Sequence, residues 1–575
     1  MATGRYYDGA EHAYTNLDSE SNQDADSPLP FGFFEFIYFV VMEAFGYHDG
    51  VDFAYANPGP ENDEGTHTYN GPIPVDSAFL RLETDTAGDD EGVDHAHTDS
   101  HPGNNEDSEK HEDAEMDEGS EDSENSDDED DDDDDEDDED PWRLLPFDAE
   151  FLQTWATVVR NELMNSGNDT APVECTSVLD PMSGSYNTVF PLVFSDGIRW
   201  ALKVPQTIPS GGFDASAAHT LTTEALAIRF IKQETTIPVP EVHRFHAGMD
   251  NSLQYPYILT DFIDGVPLYE VWFDHSEPEL LESRRMNALQ DIASAMVQLG
   301  KFTFSRGGSP VFDSNGRISD VGSERKADVA ASLAAKDEDS EVWCDLGPFT
   351  NAKSYLLAML DRRDPPPDEY SRGIYKLLRL FIDWLSELEN LEDDGDFVLA
   401  HPDLDIQNIM VTKEGRVCGL IDWEGVAVVP ACTGNLCYPS FLTRDWDSMA
   451  YSYDENGTAE ENEKENSPEE LQHFRAAYSN MIEKLYGSMG TKCPSWTRKS
   501  LLIENLKIAA DNLVTTHGIV DKVFEEMGKD EEKPLEFDDE ELDVYEVACE
   551  LAEACLDEGK LELLKDRFLH LCNSL

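Results

Sequence analysis

The sequence predicts an α+β chain in two lobes, a small β-rich lobe followed by a larger, mainly helical one, with a disordered acidic segment ahead of both. Three observations lead there. Between Glu83 and Asp140 stand 32 acidic residues against the single basic Lys110. From Pro141-Trp142 to Phe262 one helical stretch gives way to short apolar runs separated by turn residues, and beyond Arg284 helical apolar spacing dominates. Strands first and helices later place a β-rich lobe on an α-rich one.

At 575 residues the chain is longer than one hydrophobic core usually serves, so several folded units and unstructured segments are expected. Residues 1–82 form the first region. Its opening, Met1 to Asn22, carries Asp8, Glu11, Asp18 and Glu20 and no early apolar run, unlike a secretory signal or an Arg-rich transit peptide. A cytosolic location, with nuclear access, is the expectation. The stretch Phe31 to Phe45 is strongly apolar but contains Glu35 and Glu43, and it is shorter than the ~20 residues a spanning helix requires. It reads as a buried or docking helix, with a membrane-surface role as the alternative, and no integral membrane segment is expected.

Residues 83–140 hold almost nothing apolar and end in the unbroken acidic run Asp127 to Asp140, so they cannot bury enough surface to offset their ordering entropy. The formal charge of −83 works against nucleic acid and anionic membranes, which need clustered Lys and Arg. The acidic run leaves basic proteins as candidate partners. Its histidines, His95, His97, His101 and His111, are too loosely spaced to read as a metal site. The nine cysteines are odd in number and contain no C-x-x-C pair, which argues for free thiols rather than a disulfide framework.

The β-rich lobe is expected over 141–263. Phe151, Leu152, Trp155, Val158 and Val159 suggest one helical face. The runs Thr188 to Phe194 and Ile198 to Val204, joined by Ser195-Asp-Gly197, predict a β-hairpin. A helix comes next over Thr220 to Gln233, with Leu221, Ala225, Ile228 and Ile231 inward, then a buried strand over Tyr257 to Phe262. In the helical lobe, 264–575, helices are expected over 284–300, 351–360, 371–391, 468–486, 496–527 and 542–572, with the acidic insertion 454–470 as a surface loop.

The chemistry concentrates in two segments, His401-Pro-Asp-Leu-Asp-Ile-Gln-Asn408 and Ile421-Asp-Trp-Glu424. Between them, Ile409 to Thr412 and Val417 to Ile421 flank a Lys413-Glu-Gly-Arg416 turn and should pair, bringing Asn408 and Asp422 together at the open end of a hairpin. Two oxygen-bearing side chains converging from opposite strands, with Asp403 five residues before the first, suit a hard cation such as Mg²⁺ and its phosphates. Phosphoryl transfer needs a carboxylate to orient the acceptor, oxygen ligands for the metal and a cation for the phosphates.

At these residues the chain resembles the aminoglycoside phosphotransferase family, and within it the fungal members. The resemblance covers about Thr176 to Asp447. It implies a protein-kinase-like fold with ATP between the lobes, Asp403 as catalytic base, His401 holding the catalytic loop beside it, and Asn408 and Asp422 as Mg²⁺ ligands. Further upstream, Trp200-Ala-Leu-Lys203 resembles the nucleotide-binding lysine strand, Glu224 its helical ion-pair partner, and Tyr257 to Ile263 the hinge. Gly184 and Ser185 stand where backbone N–H groups would meet phosphate. Pro402 and Asp405 depart from the Gly and His that the family often has.

The expected function is ATP- and Mg²⁺-dependent phosphorylation of a hydroxyl on a small molecule, although an aminoglycoside substrate does not follow. Two other readings stay open: a pseudokinase scaffold, and a binder of basic proteins through residues 83–140. A protein kinase is disfavoured by the absent Asp-Phe-Gly.

Overall fold

The computed structural model describes residues 142, 145–164, 171–184, 186–206, 213–328, 331–332, 342–388, 397–458, 462–490, 496–529, 534–538 and 540–575. The apolar stretch 31–45 and the acidic segment 83–140 lie outside the described residues. Apart from Trp142, every described residue belongs to one compact unit.

The described part opens with α1 (Ala149–Met164). Its buried face is Leu152, Trp155, Ala156 and Val159, the i, i+3, i+4, i+7 stripe of one helix side. Phe151 (44% exposed) and Val158 (52%) lie off that stripe, a correction to the wider face read from sequence. Strands β1 (Cys175–Val178), β2 (Met182–Ser183), β3 (Asn187–Phe194), β4 (Arg199–Pro205), β5 (Val242–His246) and β6 (Tyr257–Asp261) form one sheet in the order β1-β3-β4-β6-β5, with β2 on β3. β3 and β4 pair antiparallel, Thr188 opposite Val204 and Val189 opposite Lys203, as the hairpin spacing predicts. Gly197 turns the chain at φ +82°, a conformation a side chain would oppose.

Between β4 and β5 runs α2 (Ala215–Glu234), capped by the Asp214 carboxylate, which accepts from Ala217 N–H. Leu221, Ala225, Ile228 and Ile231 are buried as expected, and so is Glu224.

After β6 the chain passes through β7 (Val266–Pro267), α3 (Leu268–Trp272) and α4 (Pro278–Leu299) into the helical part. Three small strand pairings then come from β8 (Thr303–Phe304), β9 (Ser309–Phe312), β10 (Ile318–Gly322), β11 (Glu324–Ala327) and β12 (Trp343–Leu346): β9 with β10, β11 with β12, and β8 onto a later strand. Two helices come next, α5 (Ala352–Asp361) and α6 (Glu369–Leu385). The site is framed by β13 (Phe397–Ala400), β14 (Ile409–Val411), β15 (Val417–Leu420) and β16 (Ala427–Pro430). β14 pairs with both β15 and β7, and β13 with both β16 and β8, so two three-stranded sheets carry the motif segments.

The chain ends through α7 (Pro468–Ser488), α8 (Trp496–Asp511), α9 (Thr516–Gly528), the pair β17 (Glu536–Phe537) and β18 (Glu540–Glu541), α10 (Val544–Ala552) and α11 (Glu558–Ser574). Two helices expected as continuous are broken. At 512–515 the Asn512 side chain accepts Val514 N–H, an Asx turn that competes with the helix ladder. At 553–557 Ala554 adopts φ +58° and Asp557 caps α11 through Gly559 N–H. The insertion 454–470 also departs from a plain surface loop. Asn466 is buried and accepts from Trp272 Nε1 at 2.8 Å, and a Ser467/Glu470 capping box starts α7.

One core runs through these helices. Trp272 meets Phe441 and Phe474 edge-on, and Phe381 stacks on Phe568 at 4.8 Å. Among the described residues no helix is long and apolar enough to cross a membrane.

Candidate active site

The 401–408 loop begins where β13 ends and closes where β14 begins, so its geometry is set by two short buried strands. His401 is buried against Trp423, ring centroids 4.4 Å apart. Its Nδ1 accepts Asp403 N–H at 3.2 Å, and Nε2 therefore carries the hydrogen donated to Ile421 O at 3.0 Å. Burial pushes its pKa down to about 4, against the help of the Ile421 carbonyl. His401 is thus a neutral brace between the loop and the β15 end.

Asp403 reaches the cleft. Its Oδ2 accepts from Asn408 Nδ2 at 2.8 Å and Gln407 Nε2 at 3.3 Å, which leaves Oδ1 outside these two bonds. Asp403 keeps part of its surface open, but desolvation by the neighbouring protein atoms and the negative charge of Asp405 and Asp422 push the carboxyl up to about 8. Asn408 is buried with Nδ2 turned onto Asp403, so its Oδ1 is the atom it can offer a cation.

The β14–β15 hairpin forms as predicted, with Ile409 opposite Leu420 and Gly415 turning at φ +72°. Its end carries Asp422 at φ +58°, an uncommon conformation for a residue with a side chain and one that collects at functional sites.

From the other lobe, Lys203 on β4 reaches the same place. Its Nζ lies 2.9 Å from Glu224 Oε1, 2.9 Å from Asp422 Oδ1 and 3.0 Å from Glu424 Oε2. Burial works against the ammonium, but Asp422, Glu224 and Glu424 overcome it and hold the pKa well above the usual lysine range. One ammonium cannot neutralise three carboxylates. Glu224, buried deepest, is pushed up to about 7 by desolvation despite Lys203, whereas Lys203 overcomes burial at Asp422 and keeps its carboxyl below the ordinary range.

Two partners were not legible in the sequence. Glu424 joins Lys203, and Asn187, at the start of β3, donates to Glu424 Oε2 at 2.6 Å across the cleft. They lie 237 residues apart, and only the Asp-Trp-Glu spacing hinted at Glu424. Of the phosphate-loop candidates, Gly184 donates its N–H to Asn187 O at 2.9 Å within the turn, and Ser185 lies outside the described residues.

The donor set suits a divalent cation with its phosphates. Asn408 Oδ1 and Asp422 are hard oxygen donors, and desolvation, with neighbouring carboxylates adding to it, raises the carboxyls of Asp403 and Glu224 beside them. Among the described residues no three His, Cys, Asp or Glu side chains form a metal cage on their own. Mg²⁺ is usually held by one or two carboxylates together with phosphates and water.

An antiparallel sheet presenting a lysine paired to a helix glutamate, facing an Asp-x4-Asn loop and a hairpin-end aspartate, is the arrangement of a two-lobed, kinase-like fold. Residues 181–432 match the family described as "Phosphotransferase enzyme family" (APH). The chain is 25% identical over 250 residues to "Altered inheritance of mitochondria protein 9, mitochondrial" of Meyerozyma guilliermondii, covering 42% of this chain and 38% of that protein. The protein of the same name in Candida dubliniensis is 28% identical over 224 residues, covering 37% and 34%. The chain thus spans little more than a third of the length of these curated relatives. A solved aminoglycoside phosphotransferase in complex with AMP-PNP and hygromycin B overlays with a TM-score of 0.33 and 15% identity, covering 70% of this chain and 97% of the other.

The relatives' names correct one expectation. The acidity of residues 1–22 points to a cytosolic, nuclear-accessible location, yet both relatives are named as mitochondrial. An acidic opening stretch does not by itself determine the compartment.

Proposed function

We propose that this chain uses ATP with Mg²⁺ to phosphorylate a hydroxyl group on a small molecule. The observation that carries the reading is the convergence of the Lys203–Glu224 pair with Asp403, Asn408 and Asp422 on one cleft. ATP supplies the phosphoryl group and Mg²⁺ the charge neutralisation that such a transfer needs.

The chain's residues have separable tasks. Lys203 neutralises phosphate charge, kept charged by Asp422 and Glu224 and held in place by Glu224. Asn408, through Oδ1, and Asp422 hold the metal. Asp403 orients the acceptor hydroxyl with Oδ1 and would take its proton in the ionised form that a cation held by Asn408 and Asp422 would favour, while Asn408 and Gln407 fix the carboxylate through Oδ2. His401 keeps the loop in register and carries no proton in the reaction. The family's small-molecule kinases support a metabolite rather than a protein as acceptor, and the names of the curated relatives support a mitochondrial setting.

The test is the thermal shift of the full chain with Mg²⁺ and AMP-PNP against Mg²⁺ alone, repeated on Asp422→Ala. At a hundred times the dissociation constant, binding should add ~2.7 kcal/mol of stability. Stabilisation lost in the variant is the expected result; none in the wild type would remove the kinase reading.

A further inference from the structure

The β11–β12 ribbon sits outside every motif above, yet it touches both parts of the cleft that must hold still around a nucleotide. Trp343, on β12, meets the Tyr186 ring edge-on at 5.7 Å. Tyr186 lies in the turn between β2 and β3, and its carbonyl accepts Gln206 N–H at 2.8 Å, just past the strand that carries Lys203. On β11, the Arg325 guanidinium lies 4.3 Å from the Trp343 ring centre and its Nη1 lies 3.5 Å from Asp214 Oδ1.

Asp214 is the N-cap of α2, the helix that carries Glu224. A second tie runs beside it, with Ser216 Oγ donating to Asp345 Oδ1 at 3.1 Å. The ribbon is itself anchored to the helical part, because Arg362, capping α5, donates to Ala327 O at 2.8 Å and pairs with Asp511 of α8. A route of named contacts therefore runs from the C-terminal helices through the ribbon to the β2–β3 turn and to α2.

We propose that Trp343 and Arg325 are positioning residues of the nucleotide site, holding the β2–β3 turn and helix α2 so that Lys203 stays aligned with Glu224 over the cleft. The inference rests on the phosphotransferase reading, since it deepens that site. Its physical basis is a population: nucleotide binds only the arrangement with turn and helix both in place, so loosening either raises the apparent dissociation constant in inverse proportion to the fraction that stays in place.

The experiment is calorimetric titration of the full chain with Mg²⁺ and AMP-PNP, for wild type, Trp343→Ala, Trp343→Phe and Arg325→Ala, together with hydrogen exchange of residues 182–187 and 215–234. Trp343→Ala and Arg325→Ala should bind roughly three- to tenfold more weakly, with exchange quickened in both segments and unchanged in α6. Trp343→Phe, which keeps a ring for Tyr186, should restore most of the affinity. Wild-type affinity in both alanine variants would overturn the proposal, as would unchanged exchange. If the wild type binds no nucleotide, the phosphotransferase reading falls and the exchange measurement decides the clamp alone. Should Trp343→Ala fail to fold, Asp345→Ala, which removes only the tie to Ser216, should quicken exchange at the start of α2; unchanged exchange there would count against the proposal.

Discussion

Replacing Lys203 with methionine removes one ammonium from among three carboxylates at 2.9 to 3.0 Å. Glu224, 4% exposed at the side chain, is then a buried charge with no cation. Breaking such a pair costs about 3–5 kcal/mol, and the 19% exposure of Lys203 places this case near the lower end, ~3 kcal/mol at pH 8. The carboxyl of Glu224 already sits at about 7, raised from an ordinary 4.5. A carboxyl whose folded pKa is raised contributes stability below its unfolded pKa and loses it as pH rises through the folded value. Without Lys203 that folded value climbs further, so at pH 5.5 Glu224 is neutral and the deficit should shrink below ~1 kcal/mol. The assay is guanidinium denaturation followed by tryptophan fluorescence at both pH values. Lys203→Met with Glu224→Gln should recover most of the loss at pH 8. An equal deficit at both pH values, or no recovery in the double variant, would refute the electrostatic account.

The same geometry sets three further outcomes. His401 should show no imidazole titration between pH 5.5 and 8 in ¹⁵N-histidine spectra, because its pKa is pushed down to about 4; a moving resonance assigned with His401→Asn would contradict the brace role. The carboxyl of Asp403 is raised from 3.8 to about 8, so the native state holds a proton that the unfolded chain releases. Wild-type stability should therefore decline as pH rises from about 4 to 8, more steeply than in Asp403→Asn, and parallel curves would count against it. Gly373→Ala should destabilise the fold by about 1–3 kcal/mol, since its Cβ would lie 1.9 Å from Ala548 O between α6 and α10. A gain near ~1 kcal/mol, as helix propensity alone gives, would show that the helices part freely.

What the sequence disclosed is what local chemistry controls. The β3–β4 and β14–β15 hairpins announce themselves through Ser195-Asp-Gly197 and Lys413-Glu-Gly-Arg416, and hairpin closure then places Asn408 near Asp422 with no tertiary information. The inward stripe of α2 is similarly local. The face of α1 was misread because Phe151 and Val158 are apolar yet sit off the packed side, and hydrophobicity alone does not give phase. Breaks at Asn512 and Ala554 lie inside apolar periodicity strong enough to hide them. Lys203 meeting Glu424, Asn187 reaching across the cleft, and Trp343 touching Tyr186 are long-range contacts, made by the fold and carried by no spacing rule. The ribbon strands are only four residues each, too short to show an alternation.

The central claim is phosphoryl transfer, and the most direct measurement incubates the full chain with Mg²⁺ and γ-³²P-labelled ATP in a polar metabolite extract, then separates products below about the mass of a nucleotide sugar from protein. Label should pass from ATP into a phosphorylated small molecule with the wild type and fall to background with Asp403→Asn. Equal labelling by both, or none above the protein-free control from a chain that binds AMP-PNP, would contradict it and leave a nucleotide-binding domain without transfer chemistry.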